Sequence, residues 1–375
     1  MIKRVAVKNL NERFSFDLNF HKDINIITGR NGSGKTTLLK LAWYLISGNI
    51  ELALSEMTFD KVMVETDKFT IKLTRLESGL IRLTSNLLAD YIDLPSARSD
   101  LRPQRYGMIN RQLDAADENF IQQVVRQGST VFFPTFRRIE GGFSIGGRIA
   151  PNYDSRLLRE RAGGIQSAMA DLAEHLGSQQ HQFVASISTN DISQLLTLKY
   201  AEVSEKTNTL HARLARFILE KVPTQGARRR SADDAGRLLE EIEQIATEVT
   251  NESDGLRKPL TVLSEVVAKV FQGKGIKVNA AISFGDTKAA IGSETLSAGE
   301  KQMLSFLCYN AFAQRGCIFI DEPEISLHVD WQRVLFPVLL EQSTENQFIV
   351  ATHSPFIYSK YSDKELVLSE DRGGQ

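Results

Sequence analysis

The chain has 375 residues and nearly equal numbers of basic and acidic side chains, 45 against 46, so its net charge is −1 at neutral pH. This balance excludes a global field that would draw the chain to nucleic acid or to an anionic membrane, and it leaves only local patches for such contacts. No basic and apolar leader opens the sequence, and no apolar run approaches the roughly 18 residues that a membrane span needs. We therefore expect a cytoplasmic globular protein with no membrane partner.

The first 28 residues predict three short strands, because apolar residues alternate along them and two polar breaks interrupt the pattern. The third strand, around Ile24–Ile27, leads into Gly29–Thr37, which has the form G-x-x-x-x-G-K-[ST] and opens a helix-like run. In this setting backbone N–H groups wrap round phosphates and the helix N-terminus adds partial positive charge. The alternative is a flexible turn that matches by accident, and the flanking strand and helix disfavour it.

We expect this phosphate loop to bind ATP. Lys35 would reach the β- and γ-phosphates, and Thr36 would offer its hydroxyl to Mg²⁺. The other loop residues expected to contact the nucleotide are Asn31, Gly32, Ser33, Gly34 and Thr37.

Further strands follow the phosphate-loop helix. Residues 56–84 alternate again, with a hairpin turn at Gly79, and they indicate an antiparallel meander beside the nucleotide sheet. Residues 129–133 predict another strand, which stops at Pro134 and turns into Arg137 and Arg138. Such a turn suits phosphate or partner sensing, and a structural loop whose arginines meet Glu140 is an equal alternative.

From about 155 to 271 the alternation gives way to apolar residues three and four apart, which predicts a helical insertion. Breaks such as Gly255, and the absence of a sustained heptad seam, favour a compact helical lobe over a long coiled coil. The basic loop Arg228–Arg230 is expected to be solvated, with nucleic acid or an acidic partner as the alternative. Residues 276–292 predict a hairpin whose turn lies at Gly285–Asp286.

A second anion-binding helix start is predicted at Leu296–Gln302. Ser297 is placed to cap the following helix, with Glu300 three residues later as its capping-box partner. A capped, glycine-containing helix start can bind an anion. In a chain that also holds a phosphate loop, this segment resembles the signature motif of ABC ATPases.

Two polar strand ends complete the set of motifs. Cys317–Ile320 is an apolar strand that ends in Asp321 and Glu322, whose side chains point to opposite faces and can take separate roles. Asp321 would hold Mg²⁺ with Thr36, and Glu322 would act as general base on the attacking water. A further strand ends at His353; a lone histidine in this position is more often structural.

In their order along the chain these motifs resemble the ABC-type ATPase heads of the SMC, RecF and OLD superfamily, over roughly residues 1–150 and 275–365. The resemblance implies an α/β fold, an ABC ATPase head with a mixed phosphate-loop sheet and an antiparallel meander. It also implies that two heads sandwich two ATP molecules, Ser297 and Gly299 of one head covering the γ-phosphate held by the other. His353 would contact the γ-phosphate, and Arg13, after the first strand, would lie near the base.

Three residues point to the SMC, RecF and OLD branch and away from transporters, namely Glu324, His328 and Glu300. The glutamine of the Q-loop has no clear counterpart, since Gln127 comes one strand early and Thr135 begins the expected turn. More narrowly, the short insertion and the stretch around Pro134 resemble stand-alone ATPases of anti-phage systems, such as AriA of PARIS and PtuA of Septu.

The predicted domains are residues 1–150 and 273–375, which form the two parts of the head, and residues 151–272, which form the insertion. The leading hypothesis is an ATPase switch that controls a separate effector, a nuclease or toxin, in anti-phage defence. One alternative is a RecF-like repair ATPase, for which nucleic acid would be the partner. Another is a scaffold that hydrolyses ATP slowly.

Overall fold

The protein divides into two units, and the first is built on two six-stranded sheets. The computed structural model describes residues 1–95, 115–135, 176–177, 180–187, 189–221, 232–272, 276–278, 282–284 and 296–368. The first unit comprises Met1–Ser188 and Leu296–Gln375, and the second unit comprises Thr189–Thr295. None of the described helices is long and apolar enough to cross a bilayer.

The first sheet is parallel throughout its described strands. Its strands are β3 (Ile24–Thr28), β8 (Thr130–Phe133), β9 (His181–Phe183), β12 (Cys317–Asp321), β13 (Gln347–Ala351) and β14 (Glu365–Val367), in the spatial order β14-β3-β13-β12-β8-β9. The central strands are buried over their whole length, as expected for a parallel sheet that is covered on both faces. We call the two ends of this sheet the carboxyl edge and the amino edge, after the strand ends that lie there.

The second sheet is an antiparallel meander. It consists of β1 (Ile2–Leu10), β2 (Phe14–Asn19), β4 (Lys61–Thr66), β5 (Thr70–Arg75), β6 (Ile81–Ser85) and β7 (Ile92–Leu94), in the order β2-β1-β4-β5-β6-β7. Its strands alternate between buried and accessible residues, so one face packs on the core and the other does not. The turn between β5 and β6 contains Gly79 at φ 84°, a left-handed conformation that glycine adopts without strain.

The described part of the first unit also contains α-helices and a short turn of 3-10 helix at Ser362–Lys364. The α-helices are α1 (Lys35–Ile46), α2 (Ile50–Glu56), α3 (Ala115–Val125), α6 (Ala298–Phe312) and α7 (Val329–Glu341), with a single-turn helix α8 (Pro355–Tyr358) near the end. Helix α1 is buried at Leu38, Leu39 and from Leu41 to Ile46 and contacts both sheets, so it forms the centre of the core. On the other face of the parallel sheet, Phe133 packs edge-to-face against Phe306 and Tyr309 of α6.

The second unit contains two long helices, α4 (Thr189–Lys221) and α5 (Ala232–Val270), and a two-stranded sheet of β10 (Ile276–Val278) and β11 (Ile282–Phe284). The helices pack against each other, and an ion pair joins Lys221 to Glu241 at 3.0 Å. Helix α5 passes through Gly255, which the sequence predicts as a break. The cost of one helical glycine, about 1 kcal/mol, is outweighed by the buried apolar residues on either side of it, which are Val249, Leu263, Val266 and Val267.

Two further differences from the sequence-based expectation concern strands. The predicted turn at Gly285–Asp286 lies outside the described residues, but 276–278 pair antiparallel with 282–284, so the chain already reverses before that position. Apolar residues alternate in the same way before and after the reversal, so the alternation does not show where the chain turns. The insertion is predicted to begin at 151, yet 181–183 form edge strand β9 of the first unit, which is too short for alternation to reveal. Arg137, Arg138, Glu140 and Arg228–Arg230 lie outside the described residues.

Candidate nucleotide-binding site

The phosphate loop lies at the carboxyl edge, between β3 and α1. Gly32 and Gly34 have φ values of 75° and 90°, a left-handed backbone that lets the loop curl round an anion. Gly34 is the N-cap residue of α1, and no side chain caps that helix, so the N–H groups of its first turn face the loop. Ser33 Oγ is buried and has no hydrogen-bond partner among the described residues. An anion in the loop would satisfy these donors.

Lys35 is buried inside the loop, with only 6% of its surface accessible. Its Nζ donates to the carbonyl oxygens of Gly29 and Arg30, both at 3.0 Å. Burial lowers the pKa of Lys35, and the carboxylates of Glu322, Asp321 and Glu324 oppose that shift. The ammonium group is therefore held at the loop's inner surface by weak neutral acceptors, which a phosphate would readily replace.

Asp321 ends β12 at the same edge and is 1% accessible. Thr36 Oγ1 donates to Asp321 Oδ1 at 3.1 Å, and the hydroxyl of Thr135 donates to the other carboxylate oxygen. Because β8, β12 and β3 run parallel, the residues that follow or end these strands meet at one edge. Thus Thr135, which begins the expected Q-loop turn, reaches Asp321, whereas Gln127 precedes β8 at the amino edge.

Glu322 follows Asp321 with a left-handed backbone, φ 49°, which is uncommon for a residue that has a Cβ. Its N–H donates to the carbonyl of Ala351 at 2.8 Å, which fixes the turn against β13. Burial and the neighbouring carboxylates of Asp321 and Glu324 raise the pKa of Glu322, while His353 and Lys35 lower it. A carboxylate with a raised pKa is a better proton acceptor than an ordinary one.

His353 lies just beyond β13, with its Nε2 atom 4.0 Å from Glu322 Oε1. The two side chains remain 35% and 29% accessible, so both face the open side of the site. The backbone N–H of His353 and the hydroxyl of Thr352 both donate to the carboxylate of Glu324. Sequence reasoning noted Glu324 only as a branch-specific residue, and this contact between distant segments has no local signal.

Arg13 is linked to the phosphate loop through Phe14, and its predicted contact with a base remains a prediction. Its guanidinium stacks over the ring of Phe14 at 4.9 Å from the centroid. Phe14 in turn lies against Gly34, since a Cβ built on that glycine would be 3.2 Å from the Phe14 ring. An exposed cation over an aromatic ring at the loop's rim is a suitable surface for a planar base.

The predicted signature residues contact the first turn of α6 and the turn at Ser326. Ser297 and Glu300 form the predicted capping box at the start of α6, with Ser297 N to Glu300 Oε2 at 2.8 Å. A Cβ on Gly299 would lie 2.5 Å from the carbonyl oxygen of Ser326, so this glycine permits a close approach of two backbones. Among the described residues, no hydrogen bond joins Ser297 or Gly299 to the phosphate loop of the same chain.

Comparison with known proteins agrees with this arrangement. A family model described as an AAA ATPase domain matches residues 160–358, and a second, described as an AAA domain, matches residues 7–79. The first match covers more than half of the chain. The chain belongs to the AAA ATPase domain family.

Individual relatives of this AAA ATPase chain are more distant. Endonuclease GajA of Bacillus cereus (strain VD045) is 37% identical over 75 residues, which is 18% of this chain and 13% of that protein. The chain thus aligns with only a small part of this relative. An Smc head bound to the C-winged helix domain of ScpA has a TM-score of 0.42 at 13% identity, covering 96% of this chain and 91% of that one. An Smc head with an extended coiled coil, bound to the C-terminal domain of ScpA from Pyrococcus furiosus, has a TM-score of 0.39 at 14% identity with the same coverage.

The family assignment confirms the predicted superfamily, an ATPase of the SMC, RecF and OLD type, and the predicted α/β class with a phosphate-loop sheet and an antiparallel meander. Membership in an AAA ATPase family implies nucleotide binding. The individual roles of the site residues, and the narrower resemblance to PARIS and Septu ATPases, stay predictions.

His328 is exposed and caps α7, its Nδ1 accepting from Asp330 N at 3.4 Å.

Proposed function

We propose that the chain is an ATP-hydrolysing switch whose head pairs with the head of a second copy around two ATP molecules. The observation that carries this proposal is the convergence of Lys35, Thr36, Asp321, Glu322 and His353 at the carboxyl edge of one parallel sheet. In open α/β sheets, ligands bind beyond the carboxyl ends of the strands. The residues that meet there are of the types that phosphoryl transfer to water requires.

The donors at this edge fit a magnesium ion. Thr36 and Asp321 offer oxygen atoms, which Mg²⁺ prefers, and the 3.1 Å between Thr36 Oγ1 and Asp321 Oδ1 is close to the roughly 3 Å between adjacent ligands of a small octahedral ion. These two residues would hold the ion, with the hydroxyl of Thr135 on the second carboxylate oxygen. When bound, Mg²⁺ would neutralise charge on the phosphates.

The chain's own groups would then perform distinct tasks. Lys35 would exchange the carbonyls of Gly29 and Arg30 for phosphate oxygens, and the loop N–H groups would stabilise the same negative charge. Glu322 would orient a water molecule and accept its proton, a role that its raised pKa favours. His353, whose Nε2 is 4.0 Å from Glu322, would contact the terminal phosphate.

A second copy would complete the site. The loop would leave the outer side of a triphosphate uncovered. Ser297 contacts Glu300 and Gly299 contacts Ser326, and within the described part of the chain neither is hydrogen-bonded to its own loop. The N-terminus of a helix carries a partial positive charge, so the start of α6 in one copy would cover the terminal phosphate held by the other. Each ATP molecule would then bind to two chains and join them.

The assignment of Glu322 is tested with Glu322→Gln. We expect turnover to fall at least about 100-fold, because the general base is lost, while ATP still binds. Paired heads should then accumulate in ATP, as measured by light scattering after size exclusion. Glu345→Gln, at the amino edge, is the control and should hydrolyse ATP like the parent chain. Unchanged turnover in Glu322→Gln would contradict the proposal.

The shared site is tested by mixing two inactive variants. Lys35→Ala lacks the loop lysine, and Ser297→Arg blocks the lid at the start of α6. In a mixed pair, one of the two sites combines an intact Lys35 with an intact Ser297, so turnover should return to up to about half of the parent value. If mixing restores nothing although both variants are folded, the two residues do not act across a pair of heads.

We further propose that the nucleotide state of the paired heads controls a separate effector, a nuclease or toxin, in anti-phage defence. Support comes from the similarity to a segment of Endonuclease GajA. Cells that carry the chain with its neighbouring genes should resist phage, and resistance should be lost with Lys35→Ala or Glu322→Gln. Equal resistance with all variants would contradict this control. ATP-dependent, salt-sensitive DNA binding by the chain alone would favour the RecF-like alternative.

A further inference from the structure

The carboxylate of Glu324 joins two segments that are distant in sequence. Its Oε1 accepts from the backbone N–H of His353 at 2.6 Å, and its Oε2 accepts from Thr352 Oγ1 at 2.8 Å. Thr352 is fully buried, and its hydroxyl also accepts from Ser354 N at 3.0 Å. One carboxylate therefore fixes the main chain on which His353 is carried.

The turn that holds Glu324 is itself tied to helix α6. Gln302, which is fully buried, donates from Nε2 to the carbonyl of Pro323 at 2.9 Å. The carbonyl of Ser326 packs so closely on Gly299 that a Cβ there would be only 2.5 Å away. Within the turn, Leu327 N donates to the carbonyl of Glu324 at 3.1 Å. The turn that carries Glu324 is thus fixed to the start of α6, where the signature motif lies.

Holding the end of β13 in place does not require the carboxylate of Glu324. The end of β13 is already held by hydrogen bonds from Thr352 N to Ile27 O and from Glu322 N to Ala351 O. Hydrogen bonds to a carboxylate are shorter and stronger than those to neutral acceptors. The bond from His353 N to Glu324 is of this kind, and it is made by the backbone of the residue that carries the imidazole. The contact is therefore placed to fix the direction in which His353 projects toward Glu322.

We infer that Glu324 is a positioning residue. It holds the side chain of His353 next to that of Glu322, and it makes the position of His353 depend on the position of α6, the helix that begins at the signature motif. This inference rests on the proposed ATP hydrolysis. Misplacing a reacting or charge-stabilising group by about 1 Å can reduce turnover on the order of 100-fold. Glu324 itself need not touch the nucleotide.

The first experiment compares Glu324→Ala with Glu324→Gln. In the alanine variant, kcat should fall about 10- to 100-fold while KM for ATP changes less than about threefold. Glutamine can accept from His353 N with its oxygen and donate to Thr352 Oγ1 with its nitrogen, so it should restore most of kcat. Equal kcat in the parent and the alanine variant would overturn the inference, as would a loss that appears only in KM.

The second experiment tests whether the effect passes through His353. If Glu324 acts by positioning it, Glu324→Ala should lower kcat less than about twofold when His353 is already replaced by Ala. Losses that multiply would instead mean that Glu324 acts through another group. If the His353 and Glu322 variants both hydrolyse ATP like the parent chain, the proposed function fails, and that result differs from a failure of Glu324 alone.

A third measurement does not depend on activity. The chain has six histidines, so ¹⁵N-histidine labelling gives six backbone amide signals, and that of His353 is identified by its loss in His353→Ala. A short bond to a carboxylate moves an amide proton downfield. The His353 signal should move upfield in Glu324→Ala and return in Glu324→Gln. An unmoved His353 signal in folded Glu324→Ala would overturn the inference.

Discussion

The two edges of the parallel sheet use polar side chains in opposite ways. At the amino edge, Thr130 accepts from Trp43 Nε1 at 2.9 Å and is bonded to His181 Nδ1 at 2.8 Å, while His181 Nε2 meets the carbonyl of Val125. The buried amide of Gln347 likewise bonds to both the N–H and the carbonyl of Ile2. Each of these groups satisfies another, so the network stabilises the fold.

At the carboxyl edge the polar groups are not matched in this way. Ser33 Oγ has no partner among the described residues, and the carboxylates of Glu322, Asp321 and Glu324 lie near the buried ammonium group of Lys35. Unbalanced charge of this kind concentrates at functional sites. Substitutions at this edge should therefore impair nucleotide handling more than folding, and substitutions at the amino edge should do the reverse.

The largest expected effect is the loss of nucleotide binding in Lys35→Ala. Removing the cation proposed to contact the phosphates should weaken affinity at least about 100-fold. The melting temperature should change little, because in the described part of the chain Lys35 donates to two loop carbonyls and to no other group. Calorimetric titration with a non-hydrolysable ATP analogue measures the affinity. Lys40→Ala, on the same helix, is the matched control and should bind like the parent. Retained binding in Lys35→Ala would remove the distinction between the edges.

Asn310→Ala should give the converse result. Asn310 is fully buried near the amino edge, donates to Leu339 O at 2.9 Å and accepts from Asn346 Nδ2 at 2.8 Å. Its removal leaves buried partners unsatisfied and should lower the free energy of unfolding by about 2–4 kcal/mol in urea titrations. Nucleotide affinity below the transition should stay within twofold. Exposed Asn19→Ala serves as control, with an expected change under about 0.5 kcal/mol.

Gly299→Ala should cost about 1–3 kcal/mol, because the new Cβ would meet the Ser326 carbonyl at 2.5 Å and one backbone must move. The cause is space, since Gly299 does not have a left-handed backbone. Gly128→Ala is the matched control in the same unit, since a Cβ there has nothing within 4 Å. Equal stability of the two variants in thermal unfolding would mean that α6 and the turn at Ser326 separate easily.

The smallest effect concerns acid stability. Burial lowers the pKa of His181, so the unfolded chain binds a proton there more readily than the folded one. Stability should therefore fall as the pH drops below the unfolded value of about 6.5, by at most about 1.4 kcal/mol per pH unit from this residue. His181→Gln should flatten urea-derived stability between about pH 6.5 and 5.5, relative to exposed His211→Gln. An unchanged slope would show that another group dominates.

The sequence predicted the elements whose signals are local. The strands β1 to β6, β8, β12 and β13, the phosphate-loop turn and the capping box at Ser297 all follow from alternation, glycine placement and helix-start chemistry. It did not predict contacts that depend on the order of parallel strands. Glu324 meets Thr352 and His353, and Thr135 meets Asp321, only because separate strand ends converge at one edge. Edge strand β9 and the passage of α5 through Gly255 depend likewise on packing.

The left-handed backbone of Glu322 has a consequence for how this site can change. At φ 49°, glycine would be more comfortable than glutamate, so the chain gives up on the order of 1 kcal/mol to keep a carboxylate there. Glu322→Gly should thus unfold at a higher temperature than Glu322→Ala, although both variants lack the carboxylate that is proposed to act as the base. The backbone at this position therefore favours a residue without a Cβ, while the proposed chemistry requires a carboxylate.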